Sequence, residues 1–328
     1  MKNGWGVNKK DKSRKASPDC SQLRKSLELV RKRVLRGQFA AALTIGNKAN
    51  VALKQKLAAH PHSKELLIIK ARLYFYFADL HFMHSGALIS SNYLKSHIQT
   101  VGKLFREFPL DKEIIQLQVD ALEHEAISKE NQNKNADAIL PTRRAIELIE
   151  KNQWMLNEGK WIILYIEQYQ RLGRCYGGRL SGNAPIKGFD CYEKARTLAK
   201  KYRRHFNARE NVLKAEYAYL KYSIESSCGL LHERAGDYFD AIKCFKRAYQ
   251  ISTEHLSTQK NPFIMCSRSE ARYLVWIGNN HGKLGDVKNE TKYYRLAFSK
   301  YAEIVSDKDY SVQIPAFHKI FDLLREVF

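Results

Sequence analysis

The sequence predicts an all-α protein, an α-α superhelix built from antiparallel helix hairpins. Apolar residues recur at helical spacing from about residue 21 almost to the end of the chain. The connections between these periodic segments are mostly short, which makes consecutive helices antiparallel neighbours. The 328 residues include only 7 Pro and 17 Gly, which is few for the many turns of an all-β protein.

The elements follow from periodicity and from the residues that end each run. In SLELVRKRVLRG, an apolar stripe through Leu27 and Val30 stops at Gly37, a natural C-cap. The next helix ends at Pro61. Further helices are predicted near 64–84, 90–107, 111–129, 136–152, 158–177, 188–205, 209–235, 238–256, 267–284, 287–304 and 314–327.

These elements imply three regions. Residues 1–20 are predicted to form a flexible basic tail, and residues 21–308 a helical-repeat domain. Residues 309–328 are predicted to form a C-terminal capping helix, or alternatively a face that joins a second copy. The apolar helix near 64–84 contains Lys70, Arg72 and Asp79, which would be costly in hydrocarbon, so no membrane contact is expected.

Two segments of the chain repeat each other without a gap. YSIESSCGLLHERAGDYFDAIKCFKRAYQIS begins at Tyr222, and ARYLVWIGNNHGKLGDVKNETKYYRLAFSKY begins at Ala271. The shared or matched positions are Gly229 with Gly278, His232 with His281, Gly236-Asp237 with Gly285-Asp286, Phe245 with Tyr294, and Ala248 with Ala297. We refer to the two segments as the 222 repeat and the 271 repeat.

This pattern resembles the tetratricopeptide-repeat (TPR) family. The small residues Gly229 and Gly278 let the first helix approach the second, where Phe245 and Tyr294 fill the gap. Gly236 and Gly285 are expected to end the first helices in the left-handed conformation. Asp237 and Asp286 are expected to accept hydrogen bonds from the N–H groups that open the second helices.

Weaker matches extend the resemblance. One keeps Gly173, Tyr192 and Ala195, and another keeps Gly37 and Phe39. The two clear units are 49 residues apart, from Gly236 to Gly285, against about 34 in the family. The chain therefore looks like a diverged TPR-like solenoid with lengthened helices.

The glycines of WIGNNHGKLGD do not form a nucleotide-binding loop. A Walker loop needs Gly where Ile277 stands and a hydroxyl where Leu284 stands. No catalytic motif and no metal or cofactor site is predicted, because His81 and His84 lack a carboxylate placed to complete a ligand set, except Asp79. The protein is expected not to be an enzyme.

Cysteines and charge suggest the setting and the partner. The six cysteines form no CxxC, and no secretory signal opens the chain, so a reducing cytoplasmic location is expected. Cys175 and Cys191 have the same separation as Cys228 and Cys244, as repeated small core positions would, although the spacing also allows thiols to meet. The net charge of +22 favours anionic partners.

The resemblance implies a concave groove lined by the first helices of the hairpins, which binds a protein or peptide partner, here an acidic one. The predicted role is scaffold, adaptor or peptide-responsive regulator. The matching groove positions are Gln170, Arg171, Arg174, Arg272, Trp276, Asn279 and Lys283, with Ser223, Ser226, Ser227 and Leu230 in the 222 repeat. Ser226 and Leu230 stand where a chaperone-tail clamp would need Lys and Asn, which argues against that ligand.

The alternative is a nucleic-acid-binding helical array. KKYRRHFNAR interleaves cations with aromatic rings, a composition suited to single-stranded RNA or DNA. The candidate contacts are Lys200, Lys201, Tyr202, Arg203, Arg204 and Arg209, with His205 and Phe206 between them. The same residues also suit an ordinary helix C-terminus, where cations offset the helix dipole.

Overall fold

The computed structural model describes residues 19–84, 87–178, 184–206, 211–256 and 265–306, and the side chains of all these except 82–84, 87–89, 211–214, 255–256, 265–269 and 303–306. Every regular element in these ranges is helical, which confirms the all-α class. The predicted tail up to residue 18 and the predicted cap at 309–328 lie outside the described residues. No helix within the described ranges is both long and apolar enough to span a bilayer.

The helices lie close to the predicted ranges. Two predicted helices end early: the one near 188–205 stops at Lys201 and is followed by a short helix, and the one near 238–256 changes to a π-helical turn over Ser252–Leu256. A 3₁₀ turn over Gln153–Asn157 was not predicted. The helices are α1 (Ser21–Leu35), α2 (Phe39–Ala59), α3 (Lys64–His84), α4 (Ala87–Glu107), α5 (Lys112–Asn131), α6 (Asn135–Lys151), α7 (Gly159–Gly177), α8 (Ala184–Lys201), α9 (Arg203–Phe206), α10 (Asn211–Ala235), α11 (Tyr238–Ile251), α12 (Met265–Lys283) and α13 (Val287–Ser306).

The chain divides into two compact units, residues 1–125 and 126–328. The predicted repeat domain, 21–308, covers parts of both. In the first unit, α1, α2 and α3 share a core that includes Leu53 and Phe77, and α3, α4 and the first part of α5 share a second core around Leu104. Buried His97 contacts the Ala71 carbonyl through Nδ1 at 2.8 Å, which ties α4 to α3.

The second unit contains three packed hairpins, α7 with α8, α10 with α11, and α12 with α13. One core cluster joins α10, α11 and α12 around Phe245 and Ile277. Another joins the end of α5 to α6 and α7 through Ala126, Ala138 and Cys175. Each hairpin therefore packs both within itself and against a neighbour.

The predicted glycine turns are confirmed in the 222 and 271 repeats. Gly236 has φ of 84° and Gly285 has φ of 75°, the left-handed region that favours glycine. At the end of α10, the Asp237 N–H donates to the His232 carbonyl at 2.8 Å. At the end of α12, the Asp286 N–H donates to the His281 carbonyl at 2.9 Å. These six-to-one bonds define a Schellman motif at the end of α10 and of α12.

The predicted close approach of glycine to an aromatic ring is confirmed as well. A Cβ atom placed on Gly229 would lie 2.6 Å from the Phe245 ring, and one on Gly278 would lie 2.8 Å from the Tyr294 ring. The weaker unit repeats the contact, with Gly173 against Tyr192 at 2.7 Å. Any side chain at these glycines would overlap the ring, so the glycines set the distance between the two helices of each hairpin.

The predicted aspartate caps hold at one site and fail at the other. Asp286 accepts a hydrogen bond from the Asn289 N–H at 3.2 Å and so caps α13. Asp237 makes no side-chain capping bond to α11. The Asn289 amide also donates to Asp286 at 2.6 Å, whereas the matching residue of α11 is Asp240, a like charge that cannot donate.

Candidate functional site

Aromatic side chains form a continuous row across α10 and α12. Tyr219 stacks against Tyr222 with ring centroids 5.8 Å apart, and Tyr222 meets Tyr273 edge-on at 5.4 Å. Tyr273 in turn contacts Trp276 at 5.3 Å. Tyr219 is 54% exposed, whereas Tyr273 is buried, so the row runs from solvent into the core.

Arg272 and two serines border this row. The Arg272 guanidinium lies 6.0 Å from the centre of the Trp276 ring, within reach of a cation–π interaction, and its side chain is exposed. Ser223 and Ser226 lie on the same face of α10, one turn from Tyr219 and Tyr222. We define the α10–α12 surface as Tyr219, Tyr222, Ser226, Arg272 and Trp276.

Gln170, predicted to line the groove, joins two helices. Its amide nitrogen donates to Ser223 Oγ at 2.5 Å and to Ser227 Oγ at 3.3 Å. Only 3% of the residue is exposed. Gln170 therefore positions α7 against α10 beside the α10–α12 surface.

Arg171 and Arg174, also predicted to line the groove, share one carboxylate. Arg171 Nε lies 2.9 Å from Glu130 Oε2, and Arg174 contacts both Glu130 oxygens at 3.2 Å. Arg171 also donates to the Gln168 side chain at 3.0 Å, and its side chain is only 6% exposed. The Arg174 side chain is 41% exposed, so it alone of the two presents substantial surface.

The remaining predicted residues lie on α12. Asn279 Oδ1 accepts the Tyr294 hydroxyl hydrogen at 2.6 Å, which ties α12 to α13. Lys283 Nζ lies 2.7 Å from Glu233 Oε1 and 5.0 Å from the centre of the Tyr238 ring. Of the seven predicted residues, Arg272 and Trp276 are brought together at the surface, and the others contact neighbouring elements of the second unit.

The cations of the basic cluster at the end of α8 and in α9 are exposed, but not all of its aromatic rings are available to stack on a base. Lys200, Lys201, Arg203 and Arg204 are exposed, and none of them pairs with a carboxylate among the described residues. Tyr202 contacts His205 at 5.8 Å and lies under Lys201. Phe206 is buried and stacks on Tyr217 at 4.6 Å, so the expectation that Phe206 offers a ring to a base is wrong. Arg209 lies outside the described residues.

A polar network joins α8 to the α10–α11 hairpin. Arg196 grips Glu225 through two bonds of 2.8 and 2.7 Å, and its Nη2 lies 3.5 Å from Cys244 Sγ. The pKa of the Cys228 thiol is raised by its hydrogen bond to Cys244 and by burial, while that hydrogen bond lowers the pKa of Cys244. Both thiols are buried, as expected of small core positions, and they also meet, as their spacing allowed.

Sequence reasoning missed the aromatic row. The spacing of Tyr219, Tyr222 and Ser226 places them on one face of α10, and Arg272 and Trp276 are likewise one turn apart. That signal was present in the sequence. Which face of α10 meets α12 depends on packing, so the row becomes visible only in three dimensions.

No protein-family profile and no curated protein sequence matches the chain. Solved structures do match. BtubC (BKLC) from P. vanneervenii superposes with a TM-score of 0.53 and 11% identity, over 90% of this chain and 95% of that one. The apo form of RapI superposes with a TM-score of 0.50 and 11% identity, over 87% of this chain and 99% of that one. At this identity the similarity establishes that the chain shares their fold.

Proposed function

We propose that the protein is a non-catalytic, TPR-like interaction protein whose α10–α12 surface binds a peptide or protein segment. In this role it acts as a scaffold, an adaptor or a peptide-responsive regulator. The observation that carries the proposal is the row of partly exposed aromatic rings beside Arg272 on the first helices of two consecutive hairpins. Tyr, Trp and Arg are the residues that most often dominate binding energy at protein interfaces.

The charge of the surface favours an acidic segment. Arg272 is exposed and Trp276 half-buried, so a carboxylate can pair with the guanidinium while an apolar neighbour packs on the ring. The net charge of +22 adds long-range attraction for such a ligand. Ser226 can supply a hydroxyl to the ligand backbone.

The buried contacts beside the surface support rigid presentation. Gln170 joins α7 to α10, and Asn279 joins α12 to α13, each through side-chain hydrogen bonds. A surface that is held in place before binding loses less conformational entropy when the ligand arrives. In this proposal Gln170, Arg171 and Asn279 act as positioning residues, and Arg174 and Lys283 contribute positive charge at the edge.

The similarity to RapI agrees with this function. The solved RapI structure is of an apo form. We extend to this chain the idea of a helical array that responds to a bound ligand, in the reducing cytoplasm that its cysteines suggest.

Substitutions at the surface test the proposal. Acidic peptides would be selected from a displayed library on the full chain, and their Kd measured by fluorescence anisotropy. Arg272→Glu and Tyr219→Ala should each weaken binding by about 10-fold or more, as expected for interface hot spots. Matched controls are Arg234→Glu and Phe239→Ala, which change exposed residues near the α10–α11 turn. If no acidic peptide is selected, or if the controls weaken binding equally, the proposal is wrong.

A second candidate function is binding of single-stranded nucleic acid. The exposed cluster Lys200, Lys201, Arg203 and Arg204, without carboxylate partners among the described residues, favours it. Replacing all four with Gln should reduce the slope of log Kd against log salt by up to about 3. The matched control replaces four other exposed cations with Gln: Arg144, Lys151, Lys194 and Lys288. Lack of RNA or DNA binding at about 50 mM salt would exclude this function.

A further inference from the structure

Two cysteines and a histidine converge inside the α10–α11 hairpin. Cys228 and His232 are one turn apart on α10, and Cys244 faces them from α11. One ligand atom from each of the three lies within 4.8 Å of the other two. The cysteines are 1% and 4% exposed, and the His232 side chain is 19% exposed. In the described part of the chain, no other group of three His, Cys, Asp or Glu residues converges in this way.

We propose that Cys228, His232 and Cys244 bind one Zn²⁺ ion, which joins α10 to α11. Thiolate sulfur and imidazole nitrogen are the ligands that zinc prefers, at about 2.3 Å and about 2.0 Å. Two sulfurs at that distance from one ion lie about 4 Å apart, so small side-chain rotations would close the ligand set around it. Three protein ligands leave a fourth position for water on the His232 side, where the cluster approaches solvent.

The imidazole of His232 supports the site independently of the thiols. Its Nδ1 atom is buried and has no hydrogen-bond partner among the described residues. Asp237 Oδ2 is the nearby acceptor, but at 3.6 Å it lies beyond hydrogen-bond distance. A buried polar atom without a partner is unfavourable, and ligation by this nitrogen would satisfy it.

The charges around the cluster are compatible with a buried ion. Two thiolates and one Zn²⁺ carry no net charge, so the hairpin interior would hold no uncompensated charge. The Arg196 N–H group 3.5 Å from Cys244 Sγ would donate to a metal-bound thiolate. Because Glu225 fixes that guanidinium, Arg196 acts as an outer partner that orients a ligand.

The 271 repeat provides an internal comparison. His281 occupies the position that matches His232, but Ile277 and Tyr293 occupy the positions that match the two cysteines. His281 Nδ1 lies 3.1 Å from Asp286 Oδ2 and is therefore paired, while its buried Nε2 has no partner among the described residues and no thiol beside it to share a metal ion. The histidine alone is a feature of the repeat, and the convergent thiols are specific to the α10–α11 hairpin.

Cobalt is the probe that tests this site, and the result is independent of peptide binding. The full chain would be reduced, stripped with a chelator and titrated with Co²⁺, which gives a thiolate-to-cobalt charge-transfer band. We expect one Co²⁺ per chain, displaced by Zn²⁺. Cys244→Ser should abolish the band, and His232→Phe should weaken binding by at least about 10–100-fold, the scale on which even outer partners of zinc ligands act.

Two variants serve as matched controls. His281→Phe removes the equivalent histidine, and Cys191→Ser removes a thiol of the neighbouring hairpin, so both should bind Co²⁺ as the unaltered chain does. Circular dichroism would show that each variant remains folded, and His232→Phe tests the site without replacing a fully buried residue. Added Zn²⁺ should raise the Tm of the unaltered chain but not that of Cys244→Ser.

Three results would overturn the proposal. The first is a reduced chain without a charge-transfer band, and the second is a band that persists in Cys244→Ser. The third is a Cys228–Cys244 disulfide in protein purified without reductant, combined with no Co²⁺ binding after reduction. That last result would assign the thiols to a redox pair instead of a metal site.

Discussion

The 222 repeat and the 271 repeat share a backbone but differ in what their hairpins contain. Both end the first helix at a left-handed glycine, and both place a glycine against an aromatic ring. Inside, the 222 repeat has Glu225, Cys228 and Cys244, while the 271 repeat has Leu274, Ile277 and Tyr293 at the matching positions. The left-handed glycine and the glycine–aromatic pair therefore specify the hairpin, whereas the other interior residues can differ between repeats.

The two repeats also differ in which helix of the hairpin carries the larger side chain at one facing pair of positions. Where the 222 repeat has Glu233 and Ala241, the 271 repeat has Gly282 and Glu290. A Cβ atom on Gly282 would overlap the Glu290 carboxylate. The larger residue on the second helix is thus matched by the smallest on the first, which leaves room for the Glu290 carboxylate.

The largest expected effect comes from breaking the ion pair between Glu225 of the 222 repeat and Arg196 of α8, which has no counterpart at Leu274 of the 271 repeat. Glu225→Ala leaves the mostly buried Arg196 guanidinium with only the exposed Glu193 as a partner, and should lower the free energy of unfolding by about 3 kcal/mol. The double variant Glu225→Leu with Arg196→Met copies the apolar character of Leu274 and should be near neutral. Urea denaturation would measure both, and a cost below about 1 kcal/mol for Glu225→Ala would contradict the assignment.

Next comes the glycine–aromatic contact that both repeats share. Gly229→Ala places a methyl group 2.6 Å from the fully buried Phe245 ring and should cost about 1–3 kcal/mol. Gly278→Ala should cost less, because the Tyr294 ring is slightly exposed and can shift. The control is Gly102→Ala on α4, where the nearest atom lies 3.9 Å away, so helix propensity should make it neutral or stabilising. Equal effects at all three glycines would show that the ring contacts do not matter.

Removing the aspartate at the start of the second helix should lower stability by a smaller amount, and by different amounts in the two repeats. Asp286→Ala removes the bond to the Asn289 N–H and should cost about 1 kcal/mol. Asp237→Ala removes no capping bond and should cost less. Thermal unfolding of the two variants would compare them, and a larger loss for Asp237→Ala would reverse this interpretation.

A further difference between the repeats appears only at high pH and is absent at neutral pH. Burial, with a contribution from Glu290, raises the pKa of Tyr294 to about 12, whereas the matching residue, Phe245, does not titrate. A raised folded-state pKa contributes stability that is complete below pH 10 and is lost as the pH rises towards 12. The unaltered chain should therefore lose more stability over this range than Tyr294→Phe, as measured by urea denaturation at pH 9 and above. Parallel losses would show that Tyr294 titrates normally.

Much of the fold was predictable because its signals are local. The left-handed turns at Gly236 and Gly285 favour glycine whatever surrounds them, and the paired Gly229–Phe245 and Gly278–Tyr294 positions recur at one fixed spacing. The prediction that Asp237 caps α11 was wrong, because local sequence matching did not take account of the charge of Asp240. Phe206 was assigned to a surface because sequence alone did not show that Tyr217 would cover it.

The sequence by itself determined the helical class, the hairpin turns and the register of the two clear repeats, because these depend on backbone conformation and on residues close along the chain. Only the tertiary structure decided which residues meet across helices. It paired Arg171 and Arg174 with Glu130, aligned Tyr222 with Tyr273 and Trp276, and brought Cys244 to Cys228 and His232. Such meetings depend on how each helix is rotated about its axis when it packs, and that rotation is set by the whole core.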